Sequence, residues 1–472
     1  MGPAHPARIR VGIDGLGYMG LATGLAFAQH GSEVVGYDIR KDTLDALASG
    51  KSPYFERGLS KLLRSNLSTR RFRVVESVDA LVRQTDVIFL CLPTPQGPDG
   101  HIDLRALEAG IDVLAPVLRK VPGYRVVVIK STVAPGTTQQ RLEPRLRRLS
   151  GRSPTRLGVA VNPEFLAEGS MVEDAVHPVR VVVGATTRHA CRVLEQVYRG
   201  FDCPVFELTP SGAELVKYSA NTFLALKVSF ANEISRMAEI LGTDVDDIMA
   251  AVGKDPRIGE RFLKAGPGFG GSCFEKDVSA LDAVARDFKL AFRTGRAALD
   301  VNEDQVDHVL ALVKQAAGSI RGRSVALLGL AFKAGTDDVR GSRALPIAEQ
   351  LLRWGARVRV HDPVALETFR AEWQRLHGSR SPNLKFARRV EDALRGADLA
   401  ILQADWPEYA RWPNRWTRTM KKPVVVDLRR ALVRARRSIP QLEVRALGTS
   451  TALGKNRLSV VSSRRGRGRG ER

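Results

Sequence analysis

Cysteine is scarce, with four in 472 residues, too few for a disulfide framework, and Cys91, Cys191, Cys203 and Cys273 show no C-x-x-C pairing. A reducing compartment, the cytoplasm, is expected. The eight histidines are scattered without metal-ligand spacing, so no metal is expected. No run approaches the ~20 apolar residues of a membrane span, and the opening MGPAHPARIR lacks the apolar stretch of a signal peptide. No membrane partner is expected. Aromatic content is 6%, and neither an aromatic-interleaved basic motif nor a helix-turn-helix signature is present, which argues against specific nucleic-acid recognition. Acids are outnumbered, 51 against 73 Lys+Arg, leaving a formal charge of +22 that admits nucleic acid, anionic membrane or polyphosphate substrates.

What is present is a globular balance, 44% hydrophobic and 26% charged, in a chain whose length suggests about three units or two large ones. It opens with a short apolar strand, Ile9 to Ile13, then Gly15-Leu16-Gly17-Tyr18-Met19-Gly20, a small-residue helix, and a second strand, Glu33 to Tyr37, ending at Asp38. In such a turn the first glycine allows the bend, the second lets backbone approach a pyrophosphate, and the third lets helix pack on strand. A carboxylate at Asp38 is placed for the adenosine ribose hydroxyls and would repel the extra phosphate of NADP, so NAD is the expected cofactor.

Further strands are expected at Val87 to Leu92, Val126 to Ile129, Gly158 to Val161 and Val179 to Val183, making a doubly wound sheet up to about residue 209. From Ser211 to about Gly242 the apolar residues Leu215, Tyr218, Leu226, Phe230, Ile234, Met237 and Leu241 recur at helical spacing. The strand pattern returns at Ser324 to Gly329, Arg357 to Val360, Asp398 to Leu402 and Val424 to Val426. Asp362 ends a strand there as Asp38 does, yet Gly329-Leu330-Ala331-Phe332-Lys333 lacks the three glycines, making a second dinucleotide site the lesser reading. The close, RRGRGRGER, reads as a solvated tail.

Cys273 follows the glycine-rich AGPGFGGS and precedes a helix-like segment, where the dipole and nearby Lys276 favour a thiolate. A buried structural cysteine fits the spacing as well. Asp277, four residues on, shares its helical face and is suited to serving a water. Lys217 and Asn221 are likewise four apart, compatible with a site or with a solvated helix face. Glu164 and Glu168 in VNPEFLAEGS fit either acid–base groups or surface acids. Lys130 to Thr137 follows a strand directly, where hydroxyl residues such as Thr132 line a sheet's carboxyl edge or simply make a turn.

Together these segments strongly resemble the UDP-glucose 6-dehydrogenase family over roughly residues 8 to 448, most specifically in GLGYMG, KSTVAPGT, NPEFLAEGSMVEDAVHP, AELVKYSANTFLALKVSFANEIS, DPRIGERFLKAGPGFGGSCFEKDVSAL and GLAFKAGTDDVRGS. The resemblance implies two Rossmann-like doubly wound α/β lobes joined by a long central helix. It divides the chain into an NAD-binding domain at 8–209, a helical dimerisation domain at 210–317 carrying the catalytic cysteine, a UDP-sugar-binding domain at 318–448, and a basic tail at 449–472. It also implies four-electron oxidation of UDP-glucose to UDP-glucuronate with NAD, through a thiohemiacetal and thioester on Cys273. The nearest rivals use GDP-mannose or UDP-N-acetylhexosamines, and a nucleic-acid-binding protein on the same scaffold is a distant one.

By the same resemblance Lys217, Asn221, Asp277, Glu164, Glu168 and Thr132 join Cys273 around the reacting carbon. Gly15, Gly17, Gly20, Asp38, Thr94, Thr132, Glu168, Lys276 and Arg340 hold NAD. The nucleotide sugar meets Glu164, Phe165, Leu166, Glu168, Lys217, Asn221, Lys264, Gly268, Phe269, Gly270, Lys333 and Arg429, with Arg257 reaching across the interface of a homodimer or higher homo-oligomer. Four positions depart from the family pattern. Asp14 stands where an apolar residue is usual, Thr43 where a basic one is, Arg57 replaces a proline and Leu428 a glycine. Of the +22 charge, Ser450 to Arg472 supplies seven Lys/Arg against one Glu, a net +6 outside the match.

Overall fold

Runs such as Val87–Leu90 and Arg125–Ile129 are buried along their whole length, the signature of strands covered on both faces, as parallel sheets require. The computed structural model describes residues 9–378, 381–411, 413–433, 439 and 441–449. Apart from Thr449, the expected basic tail lies outside them.

The first sheet has eight strands: β1 (Arg10–Asp14), β2 (Glu33–Tyr37), β3 (Phe72–Val74), β4 (Val87–Leu90), β5 (Arg125–Ile129), β6 (Leu157–Val161), β7 (Val181–Ala185) and β8 (Val205–Leu208). Their order is β3-β2-β1-β4-β5-β6-β7-β8. The first six follow the Rossmann order and are parallel. β7 pairs antiparallel with β6 and parallel with β8, so a reversed pair of strands extends the doubly wound sheet. Alternation along β1 sends Val11 and Ile13 into the core under the first helix, Tyr18–Gln29. Gly12 faces the other side, where a Cβ would meet Leu81 and Thr85.

The second sheet has six parallel strands: β9 (Ser324–Leu328), β10 (Arg357–His361), β11 (Leu384–Phe386), β12 (Leu399–Leu402), β13 (Val424–Asp427) and β14 (Glu443–Ala446), in the order β11-β10-β9-β12-β13-β14. The topology of the first six strands is thus repeated. Leu428 is fully buried in this second core, so the side chain gained at that position is used for packing.

The long helix runs Pro210–Leu241, within a residue of its expected bounds. The chain forms two compact units. One comprises residues up to Ala220 with Ser279–Phe292, the other Asn221–Val278 with residues from Arg293 onward. In the first unit His101 Nε2 meets Asp287 Oδ2 at 2.9 Å, tying the inserted segment to the loop after β4. No helix among the described residues is long and apolar enough to cross a membrane. None of the four cysteines is in a disulfide.

Candidate active site

The glycine turn after β1 is shaped by close approach. Gly15 takes φ +96°, and a Cβ there would stand 2.6 Å from the Cys91 carbonyl oxygen. At Gly20 it would stand 1.9 Å from the Gly15 carbonyl oxygen, whereas nothing lies within 4 Å of that position at Gly17. The helix that follows has no side-chain cap, and its first backbone bond is Leu21 N–H to Gly17 O. The helix's own backbone bonds thus begin at Leu21 N–H, and the backbone at Gly17 borders open space, an arrangement that fits a dinucleotide diphosphate.

Asp38, 8% exposed, accepts from Leu16 N at 2.8 Å and Arg40 N at 2.9 Å. Arg40 Nε lies 3.6 Å from the same carboxylate, while Lys41 turns to Asp45 at 3.7 Å and Thr43 is buried. Arg40 thus supplies the cation that Thr43 does not. Arg57 is exposed. At the sheet's carboxyl edge Thr94 Oγ1 donates to the Thr132 carbonyl at 2.9 Å, joining two expected cofactor residues.

Glu164 and Lys217 are neither surface acid nor solvated cation. Lys217 Nζ donates to Glu164 Oε1 at 2.7 Å with both side chains largely buried. Glu164 Oε2 accepts from Leu166 N at 2.6 Å. Burial pushes the Glu164 carboxyl up, but the charge and hydrogen bond of Lys217, aided by Leu166 N and Lys130, outweigh it and hold the group below its ordinary range. Phe165 carries the Arg180 guanidinium 4.0 Å over its ring. Glu168 is half-buried.

Residue spacing did not single out what lies behind this pair. Lys130 Nζ donates to Asn162 Oδ1 at 2.8 Å, and Tyr198 OH bonds the same oxygen at 2.5 Å. Burial pushes the Lys130 ammonium down to about 8. Elsewhere in this unit the Cys191 thiol and the Glu195 and Glu207 carboxylates lie within 4.8 Å of one another, a grouping that the chain spacing concealed.

In the second unit Cys273 immediately precedes the helix Phe274–Asp287, whose opening bond is Asp277 N–H to Cys273 O at 2.8 Å. The sulfur stands at the helix start, as expected, with Ser272 Oγ at 3.5 Å. Asp277 is fully buried. Its carboxylate accepts from Asn221 Nδ2 at 2.6 Å and from Lys276 Nζ. Asn221 is buried as well, so a solvated face is excluded for it too.

The glycine-rich loop before Cys273 is fixed by polar groups that the sequence did not flag. Gly266 N donates to Asn232 Oδ1 at 2.8 Å and Gly266 O accepts from Gln305 at 2.7 Å. Phe269 N donates to Asn302 Oδ1 at 2.7 Å, and Phe269 O accepts from Arg343 Nη2 at 2.7 Å. Backbone crowds the loop, since a Cβ on Gly268 would stand 2.6 Å from Asn302 Oδ1 and one on Gly270 2.3 Å from Gly341 O. Lys264 at its start is exposed.

Arg429 donates to Gln403 O at 2.8 Å and Phe332 O at 2.6 Å, bracing the turn that carries Lys333. Arg340 pairs with Asp338 at 2.7 Å and Arg257 with Asp255 at 2.6 Å, both arginines largely exposed.

Three matched regions cover most of the chain. Residues 9–202 match the NAD binding domain of the UDP-glucose/GDP-mannose dehydrogenase family, 211–304 its central domain and 326–434 its UDP binding domain. The UDP-glucose 6-dehydrogenase AglM of Haloferax volcanii is 38% identical over 432 residues, covering 90% of this chain and 98% of that protein. The UDP-glucose 6-dehydrogenase TuaD of Bacillus subtilis is 35% identical, covering 89% and 88%. The solved UDP-glucose dehydrogenase of Pyrobaculum islandicum superposes with a TM-score of 0.84 at 38% identity, covering 91% of this chain and 96% of that one. Fold, glycine turn and cysteine loop therefore agree, and the chain belongs to the UDP-glucose/GDP-mannose dehydrogenase family, with NAD as its cofactor.

Proposed function

We propose that the protein oxidises UDP-glucose to UDP-glucuronate with two NAD per sugar. The observation that carries this reading is Cys273 at a helix start with a buried carboxylate one turn on, Asp277, held by an amide and a lysine. When bound, NAD accepts hydride from the sugar's C6, once from the alcohol and once from the thiohemiacetal.

The chain's residues supply the rest. Glu164, kept ionised by Lys217, is suited to take the hydroxyl proton, with Glu168 the other candidate. The Cys273 thiolate adds to the aldehyde carbon, and the oxyanion that forms is stabilised by Lys217 and Asn221. Loss of the second hydride leaves a thioester on Cys273. Water ordered by Asp277 adds to its carbonyl, the C–S bond breaks, and carboxylate and thiol are released. Thr132 and Thr94 stand at the sheet edge used by the cofactor, Lys276 and Arg340 add cations to its grip, and Lys264, Gly268, Phe269, Gly270, Lys333 and Arg429 take the nucleotide sugar.

In this scheme residues 8–209 hold NAD, 210–317 carry Cys273 and 318–448 hold the nucleotide, in a cytoplasm that keeps the thiols reduced. NADH production with UDP-glucose, GDP-mannose and UDP-N-acetylglucosamine tests it. UDP-glucose should give two NADH per sugar, and one would sink the thioester route. Cys273→Ser should cost on the order of a thousandfold in turnover or more with an unchanged melting temperature. Full activity would refute the nucleophile.

A homodimer is part of the reading. Phe223, Phe230 and Met237 stand seven residues apart along the long helix, so they form one stripe, and they are 62%, 45% and 55% exposed. Phe230→Asp should shift the mass measured by light scattering toward the monomer; an unchanged mass would remove that stripe from the interface.

A further inference from the structure

Asp14 is the last residue of β1 and directly precedes the first glycine of the cofactor turn. It is 4% exposed. By alternation from Val11 and Ile13 its side chain lies on the face shared with Tyr37 and Leu90, the residues opposite it in β2 and β4. No hydrogen bond reaches its carboxyl among the described residues, and the neighbouring acid, Asp38, already accepts from two backbone N–H groups. The second sheet supplies an internal control. Leu328 ends β9, lies opposite His361 and Leu402, and precedes Gly329. An apolar side chain therefore suffices for the architecture, and Asp14 is a departure within the molecule's own repeat.

A buried carboxyl with no donor does not hold a charge cheaply; it keeps its proton instead. Burial, reinforced by the charge of Asp38, pushes Asp14 up to about 7. Lys130, which burial lowers to about 8, interacts by charge with Cys91, Glu164 and Lys217, while the charge acting on Asp14 is that of Asp38. Burial pushes the Cys91 thiol to about 12, and burial likewise raises the Tyr37 and Tyr54 hydroxyls. Arg40 stays cationic beside Asp38 and Tyr54. On the helix Val78–Gln84, Asp79 and Arg83 pair with each other at 2.7 Å. On Arg105–Lys120, Glu108 pairs with Arg141 and Asp112 with Arg145. The first helix carries no charge.

We propose that Asp14 is a proton-controlled determinant of cofactor affinity: with its carboxyl protonated the glycine turn accepts the dinucleotide, and with it ionised the turn repels the diphosphate. The proposal rests on the NAD assignment of this lobe. Above neutrality only the protonated fraction binds, so apparent affinity falls in proportion to it. The reaction itself releases protons, and product formation in a weakly buffered setting would then favour retention of the cofactor.

Titration of the full chain with NADH, followed by nicotinamide fluorescence at pH 6 and pH 8, tests this directly. The Kd should rise about tenfold in the unaltered protein, and Asp14→Asn and Asp14→Leu should each bring the change below about twofold. A flat profile in the unaltered protein, or a tenfold rise surviving in either variant, overturns the proposal. Calorimetry of the unaltered protein in two buffers of different ionisation enthalpy gives a test independent of the variants' folding. Binding at pH 8 should take up close to one proton per site, and no uptake overturns the idea. Absence of NADH binding at every pH would overturn the cofactor reading and this proposal with it.

Discussion

The two sheets repeat one topology, and their first turns begin alike. Gly15 N bonds Tyr37 O at 2.8 Å and Gly329 N bonds His361 O at 2.9 Å. Both glycines are left-handed, at φ +96° and +87°. The aspartate that follows accepts the next amide in each case, Leu16 N for Asp38 and Leu330 N for Asp362. From there they diverge. Ala331 and Ala334 stand at the places of Gly17 and Gly20, closing the approach that a diphosphate needs. Asp362 also accepts from Val364 N and Ala365 N, both at 2.9 Å, and from Trp406 Nε1 at 3.2 Å. Its oxygens are committed to the protein, where those of Asp38 retain capacity for a ribose. The same carboxylate at the same register keeps acceptor capacity in one lobe and is a structural brace in the other, and the difference lies in how many donors the chain itself supplies.

Exchanging the residues before the first glycines is the strongest way to break that comparison. Leu328→Asp should destabilise the second lobe by about 4 kcal/mol at pH 8 and by less at pH 5, read by thermal and urea melts. Asp14→Leu should do the reverse on a smaller scale. Below about pH 4 Asp14 is neutral whether folded or not. Between there and about 7 only the unfolded chain ionises it, so the native lobe loses stability through that window as pH rises. Removing the acid should erase that slope; a slope that persists would place its origin elsewhere.

Asp362→Ala strands several buried donors and should lower stability by about 2–4 kcal/mol while leaving NADH affinity within about twofold. Asp38→Ala should show the opposite pattern, a loss of about tenfold in NADH affinity with a smaller melting shift. Matching effects from the two would mean that the lobes do not differ in the way described. Gly17→Ala is the gentlest test. Its backbone is compatible with alanine, at φ −65°, so stability should hold while NADH affinity drops about tenfold, the worth of one hydrogen bond to a charged group.

Much of this was legible in the chain because the signals are local. The strand, glycine turn, helix and Asp38 occupy under thirty consecutive residues, and Cys273 announces its helix start through the glycines before it. The long helix was found from apolar spacing alone. Short edge strands such as Phe72–Val74 and Leu384–Phe386 escaped, since three residues, the middle one exposed and basic, carry no periodicity. The antiparallel β7 escaped because direction is set by the connection and not by composition. Asn232, Asn302 and Gln305 escaped for a different reason: each is one polar residue on a helix, and its meaning depends on a loop amide or carbonyl 33 to 39 residues away. The bond between Lys217 and Glu164 was equally invisible, for Glu164 lies 53 residues earlier.

The insertion of Ser279–Phe292 into the first unit has a consequence for how this protein can be divided. Because the chain leaves that unit after Ala220 and returns to it before departing again, no single cut yields an intact cofactor lobe. A fragment ending at the long helix would lack Asp287, and His101 would lose the carboxylate it meets there. The two lobes look like exchangeable modules, yet as stretches of gene they are interleaved. Any chimera or split version has to carry that fourteen-residue segment along, either by a covalent linker or by permuting the ends.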